Sequence, residues 1–322
     1  MATQQFLGGV IAMASAPDVR SPRCYVILNP AAGSYPGKIN EILQQQWKSA
    51  DGTFAFHEST GPEDVTATAR DAAERGYEIV VAGGGDGTVA AVANGLVGTS
   101  ATLGILPLGT ANVVAQELGI PLNLEGACAL LTGPHSVARI DGMEVQGRHH
   151  FSRVGIGLDA LVIHEAKPQV KRRIGWVAYS WAAIKGLVGF QPRHFHIFVD
   201  GDVTHARASE VAAVNCGTMG RKPFRWGPGI RPDDGNINIC IFRARNLIDF
   251  LVLGWQLALG RPQTNRNVSY LVARHIIVVV SDSPLLVQAD GETIGRTPFE
   301  LKVFPCDIPV IVRPEGIPPP PF

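Results

Sequence analysis

Three carboxylates of this 322-residue chain stand in glycine-rich settings where an ordinary surface acid would not be expected. Asp86 sits inside "GGGDGT" (Gly83–Thr88), directly after the apolar run "IVVA"; Asp290 and Glu292 sit in "QADGE" near the other end. Glycines that follow a buried strand let backbone N–H groups point at an anion, and a helix starting there adds its positive end. Such a nest suits phosphate, and missing β-carbons leave room for its oxygens. A carboxylate in the same place repels phosphate. Asp86 therefore makes sense as a handler of Mg²⁺, directly or through water, or as the acceptor of a proton from an attacking hydroxyl. The plainer account is a tight strand-to-helix turn, and for "ADGE" an Asp-Gly hairpin turn.

Two more small-residue loops follow strand-like runs. "NPAAGS" carries Asn29, Pro30, Gly33 and Ser34, and "LPLGTAN" carries Gly109 and Thr110 before Asn112 opens a helix. One such loop is weak evidence, whereas three at successive strand ends point to a phosphate-bearing ligand lying across a sheet edge. No Walker loop is present, since G-x-x-x-x-G-K-[ST] is absent. "GIGLDA" (Gly155–Ala160) fits G-x-G-x-x-A, but the acid a dinucleotide site needs about 20 residues later is missing.

The elements that must position these loops follow from periodicity. Up to about residue 139 the chain alternates strand and helix: "RCYVIL", a helix around Ile39–Trp47, "GTFAFHEST", a helix from Pro62 to Gly76 with Thr60 as its cap, "EIVVA", a helix from about Thr88, then "TLGILPL". That order predicts a doubly wound parallel sheet with its site at the strand C-termini. From about Val137 the texture becomes strand-rich with hairpin signals such as "VDGDV" and "DDGN". The fold class is thus an N-terminal α/β domain plus a second, mainly antiparallel β domain. The boundaries are a flexible leader (1–21), a nucleotide-binding domain (22–139), an acceptor-binding domain (140–300), and a return strand with a proline-rich tail (301–322).

Composition narrows the class further. Lys plus Arg and Asp plus Glu both number 28, so no global positive field favours nucleic acid. The five cysteines, scattered and odd in number, suggest neither a disulfide framework nor a zinc site, and fit a reducing, cytoplasmic compartment. No apolar run reaches the roughly 18–20 residues of a transmembrane helix.

Taken in order, "NPAAGS", "GGGDGT", "PLGTAN", "VGIGLDA", "CGTMGRKPFRWGPGIRPDDGNINI" and "VQADGE" resemble the diacylglycerol kinase catalytic-domain family, which includes bacterial soluble lipid kinases and sphingosine kinases. The resemblance runs from about residue 22 to 313. It implies an ATP- and Mg²⁺-dependent kinase acting on a lipid hydroxyl of the diacylglycerol, sphingoid-base or ceramide class. By matched position it implies ATP contacts from Asn29, Pro30, Gly33, Ser34, Thr60, Gly84, Gly85, Asp86, Gly87, Thr88, Thr110 and Asn112. It implies activation of the acceptor by Asp290 and Glu292; Glu292 is the favoured base, with Asp290 on the metal or its water. It further implies a structural Mg²⁺ or Ca²⁺ on the Asp234 carboxylate and the backbone carbonyls of Arg231 and Asn236. Many members carry Asp where this chain has Val113, which points to an altered acceptor pocket or an atypical subfamily.

The acceptor side is less distinct. Lys171, Arg172 and Arg173 precede an aromatic-rich stretch (Trp176, Tyr179, Trp181, Phe190) that would suit a bilayer surface, or simply a core helix. Arg221, Lys222 and Arg225 form a second basic cluster facing phosphates, membrane or solvent. The expected partner is a lipid at a membrane surface; a homodimer is left open. An NAD kinase shares the central loop and two-domain plan but should show an "NE" pair early in its second domain, where this chain reads "VNCG". A non-catalytic nucleotide or lipid sensor should have lost the acids, and Asp86, Asp290 and Glu292 are all present.

Overall fold

The computed structural model describes residues 23–49, 54–158, 191–220 and 223–318. The expected leader, the basic and aromatic stretch at 171–190, and Arg221 and Lys222 lie outside the described residues.

Four short strands rich in β-branched residues build the parallel part: β1 (Cys24–Leu28), β2 (Phe54–Glu58), β3 (Ile79–Gly84) and β4 (Thr102–Pro107). They lie in the order β2-β1-β3-β4, with Val26 opposite Phe56 and Val81, and Val81 opposite Gly104. Every residue of β3 is buried, as a strand covered on both faces must be. The crossovers are α1 (Ile39–Ser49), α2 (Pro62–Glu74) and α3 (Asp86–Leu96); α4 (Val113–Glu117) and α5 (Leu124–Thr132) follow β4. Their apolar faces close one core around Leu28, Leu43, Val81, Val92 and Leu103, each fully buried. Burying one such side chain stabilises the fold by about 1.5–3 kcal/mol.

Two helix starts differ from the sequence reading. Thr60 does not cap α2: Gly61 is the cap residue, and the Asp64 carboxylate instead accepts from the Thr60 N–H at 2.8 Å. The α3 helix begins at Asp86 rather than near Thr88, because extended Gly85 already presents its carbonyl to the N–H groups of Thr88 and Val89. Asp86 is thereby on the first turn of a helix, not in the loop before it.

The second half forms β5 (Ser136–Val145), β6 (Arg148–His150), β7 (Arg153–Gly157), β8 (Arg193–Val199), β9 (Asp202–Ala208), β10 (Glu210–Val214), β11 (Ile237–Phe242), helix α6 (Leu247–Ala258), β12 (Val268–Ala273), β13 (Ile276–Ser281), β14 (Leu286–Ala289), β15 (Glu292–Arg296) and β16 (Phe299–Val312). Six of these strands make an antiparallel sheet, β12-β11-β10-β7-β14-β15. The others do not form a sheet of their own. The long strand β16 runs parallel to β4 (Val310 opposite Leu103) and antiparallel to β5 and β13, so the first sheet continues as β4-β16-β13-β8-β9. Hydrogen bonding therefore does not break near residue 140, where the sequence changes texture. The alternate buried residues of β8 (Phe195, Ile197) and β13 (Ile277, Val279) face Val154, Val211 and Ile239 of the six-stranded sheet in a second core. The opposite face of that sheet carries α6, seated by Leu253 and Leu257 on Ala212, Cys240 and Phe242.

Candidate active site

The C-terminal ends of β1 to β4 converge, and their loops are tied to one another by main-chain bonds. Asn29 N donates to Gly83 O at 2.8 Å, Leu108 N to Gly84 O at 2.9 Å, and Ser34 N to Leu108 O at 2.9 Å. Side chains tighten the same weave. Asn29 Nδ2 donates to Thr88 Oγ1 at 3.0 Å, while Asn29 Oδ1 accepts from Ala31 N. Asn112 holds the third loop by accepting from Gly109 N and donating to Gly109 O, both at 2.9 Å, from a left-handed conformation (φ 49°) that asparagine tolerates.

The glycines divide into two groups. A β-carbon on Gly84 would lie 2.3 Å from Thr88 Oγ1, and one on Gly109 would lie 2.4 Å from the Gly85 Cα, so these positions let the protein approach itself. Gly87 has nothing within 4 Å and opens outward. Only the second kind clears space for a ligand.

That space is a cavity of about 520 Å³ lined by Asn29, Pro30, Gly33, Thr60, Gly85, Gly87 and Thr88, with Ser59, Pro62, Val65 and Gly109. Glu292, the first residue of β15, lines it from the other sheet. Of the remaining residues expected to contact nucleotide, Ser34, Gly84 and Asn112 shape the loops as described, and Thr110 lies against Gly33 (3.1 Å from its added β-carbon). A smaller hollow of about 40 Å³ adjoins, lined by Gly87, Asn94, Arg148, His149, His150, Asp290 and Glu292 among others.

The acids are held differently. Asp86 Oδ1 accepts from Val114 N at 3.1 Å, so the first turn of α3 is pinned to the first turn of α4. Burial pushes its carboxyl up to about 6, and the negative charge of Asp290 adds to the rise against the hydrogen bond from Val114. Asp290, at a positive φ of 47° on the β14–β15 hairpin, accepts from the backbone N–H groups of Phe151, Ser152 and Arg153 at 3.1–3.2 Å. His150 Nδ1 stands 3.3 Å from its Oδ2. Oδ1 thus accepts two main-chain N–H donors and Oδ2 one, which anchors the Asp290 carboxylate to residues 151–153. Glu292 is exposed and reaches into the cavity.

Two buried carboxylates close enough to repel, beside an anion cradle, suit a divalent cation as counter-charge. Arg231, Asp234 and Asn236, where a structural metal is expected, share one turn: the Arg231 side chain pairs with Asp233 at 2.8 Å, and Asn236 N donates to Asp234 Oδ1 at 3.0 Å. No cluster of three or more His, Cys, Asp or Glu side chains that could hold a metal occurs among the described residues.

Several residues of the site were invisible to spacing. Asn94 on α3 brackets the backbone of His149, accepting from its N–H at 2.8 Å and donating to its carbonyl at 2.7 Å. Arg225, which the sequence leaves between phosphates, membrane and solvent, is buried against Glu117 of α4. Val113, where many family members have Asp, packs near Gly220 (3.1 Å from its added β-carbon).

Residues 23–145 match the family model of the diacylglycerol kinase catalytic domain, and residues 152–312 match the YegS C-terminal NAD kinase beta sandwich-like domain. The diacylglycerol kinase of Bacillus subtilis (strain 168) is 28% identical over 285 residues, covering 86% of this chain and 92% of its own. The crystal structure of a diacylglycerol kinase from Bacillus anthracis str. Sterne superposes with a TM-score of 0.69 at 20% identity, over 91% of this chain and 97% of that one. A second Bacillus anthracis structure gives 0.78 at 24% identity, over 94% and 99%. These two structures establish the shared fold. With both halves matched in order along the sequence, the chain belongs to the diacylglycerol kinase catalytic-domain family.

Proposed function

We propose that the chain is an ATP- and Mg²⁺-dependent kinase that moves the γ-phosphoryl group of ATP onto a hydroxyl of a lipid, of the diacylglycerol, sphingoid-base or ceramide class. The observation that carries this reading is Glu292. It comes from the antiparallel sheet, yet it lines the same cavity as the glycine loops of the parallel sheet. A proton acceptor from one half, in this reading, meets an anion cradle from the other.

In this reading the loops ending β1, β3 and β4 hold the triphosphate, with the start of α3 directed at it through Gly85 and Gly87. Glu292 takes the proton of the acceptor hydroxyl as its oxygen bonds to the γ-phosphorus. The bond to the β,γ-bridging oxygen breaks, and its electron pair leaves with ADP. Asp86 would hold the magnesium ion, whose charge offsets that gathering on the transferring group. Asp290, anchored by three amides and His150, fixes the hairpin that presents Glu292.

The test is transfer from labelled ATP with Mg²⁺ to a panel of diacylglycerol, monoacylglycerol, sphingosine, ceramide, phosphatidylglycerol and NAD, with Asp86→Asn as control. Transfer to one lipid, lost in the control, supports the reading and names the acceptor. Transfer to NAD alone overturns it in favour of the NAD kinase relation carried by the second-domain model, and ATP binding without transfer favours a sensor.

A further inference from the structure

Helix α6 is seated on the six-stranded sheet by Leu253 and Leu257, and its opposite face should carry charge if it simply met water. It carries none. Leu247, Ile248, Leu251, Val252, Trp255 and Leu259 all face outward, with Ile248 72% and Trp255 67% exposed. Their spacing of three and four residues makes one continuous apolar stripe along the helix. The sole charge within the helix, Asp249, is turned back to accept from Arg245 N at 2.8 Å. Apolar surface collected like this, rather than scattered singly, marks a contact.

The surroundings say what kind. Between residues 243 and 266 the chain has four arginines and one aspartate, although the whole protein is balanced at 28 and 28. Arg245 precedes the helix, and Arg261 and Arg266 follow it. All three are exposed, and none is in an ion pair among the described residues. An isologous pairing of two such helices would bring like-charged arginine rims together. A sheet of anionic headgroups answers the arginines and takes the leucines and tryptophan below its surface. Twelve residues span only about 18 Å, too short to cross a bilayer, and no described helix is long and apolar enough to do so.

We infer that α6 docks this protein on anionic lipid bilayers, lying in the interface plane with Ile248, Leu251 and Trp255 inserted and Arg245, Arg261 and Arg266 among the headgroups. This surface is separate from the phosphate cavity, and its use requires neither ATP nor an acceptor.

The test is co-sedimentation of the full chain with phosphatidylglycerol–phosphatidylcholine vesicles and with pure phosphatidylcholine vesicles, without nucleotide. The wild type is expected to bind the anionic vesicles and to bind the neutral ones markedly less. Ile248→Asp with Leu251→Asp should weaken anionic binding about tenfold or more, and Arg245→Ala, Arg261→Ala and Arg266→Ala together should do likewise. The milder Ile248→Ser with Trp255→Ser repeats the test should the acidic pair disturb folding, which circular dichroism reports. Wild-type failure to bind anionic vesicles, or unchanged binding by both apolar variants, overturns the inference. So does a lipid-free dimer in analytical ultracentrifugation that Ile248→Asp dissociates, because a second copy would then be the occupant. None of these results bears on phosphoryl transfer, so the two readings fail separately.

Discussion

The guanidinium of Arg225, between β10 and β11, lies in a two-pronged contact on the Glu117 carboxylate of α4, at 2.7 and 3.2 Å, and each residue is 8% exposed. Thr218 N donates to the same carboxylate at 2.8 Å, and Gln116 Nε2 donates to Gly220 O at 2.9 Å. The helix that follows "GTAN" is thus locked to the loop that follows β10. This links the N-terminal half to the second half, close to where Val114 pins Asp86.

Removing one member of this pair leaves a buried charge alone. Glu117→Gln is expected to cost about 3–5 kcal/mol in urea unfolding, whereas Glu117→Leu with Arg225→Met should recover most of that loss. A single variant within about 1 kcal/mol of wild type would show that water reaches the pair and that the lock is weak.

Asp86 makes stability depend on pH in a recognisable way. Its folded carboxyl holds a proton up to about 6, against an ordinary 3.8, so the folded state binds more protons than the unfolded one in between. The cost of ionising it in the fold is absent below pH 3.8, grows as pH climbs, and is complete above about 6. It amounts to at most about 3 kcal/mol. Asp86→Asn keeps the acceptor for Val114 N and loses this cost. The variant should therefore be more stable than wild type at pH 8 and equal to it near pH 3.5, while losing phosphoryl transfer. Equal unfolding free energies for the two proteins across pH 4–8 would contradict this account.

How much of this could be read beforehand follows the range of the interactions. The β-α alternation and the three small-residue loops are local, carried by periodicity and by small residues at strand ends, and they stand out in the sequence. The start of α2 escapes the sequence because Gly61 takes the cap position with no side-chain acceptor, while Asp64 reaches back one turn to hold the Thr60 N–H. The glycines of "GGGDGT" all looked alike, yet Gly84 faces Thr88 and Gly87 faces open space; only the fold tells them apart. The union of both halves through β16 is beyond periodicity, since Val310 and Leu103 meet across the whole chain. The grip of Asp290 on residues 151–153 and the burial of Arg225 are likewise long-range, and basic character alone suggested a surface.

Asp290 and Glu292 should separate in their variants. In Asp290→Asn one carboxylate oxygen becomes an NH₂ group that must face an N–H donor, either Phe151 or the Ser152 and Arg153 pair. The expected cost is about 1–3 kcal/mol, with the φ of 47° no obstacle to asparagine. Glu292→Gln, at an exposed site, should leave stability within about 0.5 kcal/mol and slow transfer by about 10²–10⁴. Thermal unfolding alongside single-turnover rates makes the comparison, and a Glu292→Gln enzyme of near wild-type rate would move the base to another group.

The last contrast tests the division of the glycines. Gly109→Ala would place its methyl 2.4 Å from the Gly85 Cα and 2.7 Å from Asn112 Oδ1. Backbone cannot retreat from that contact without parting the second and third loops, so overpacking should cost about 1–3 kcal/mol and abolish ATP binding. Gly87→Ala meets nothing within 4 Å, and alanine favours its place in the first turn of α3. That variant should fold as well as wild type or slightly better. Its methyl would nevertheless project at the cavity wall where a phosphate oxygen is expected, weakening ATP binding about tenfold in calorimetry. If Gly87→Ala binds ATP as wild type does while Gly109→Ala alone is impaired, the triphosphate does not run over the start of α3. The anion cradle would then have to be drawn from the β1 and β4 loops instead.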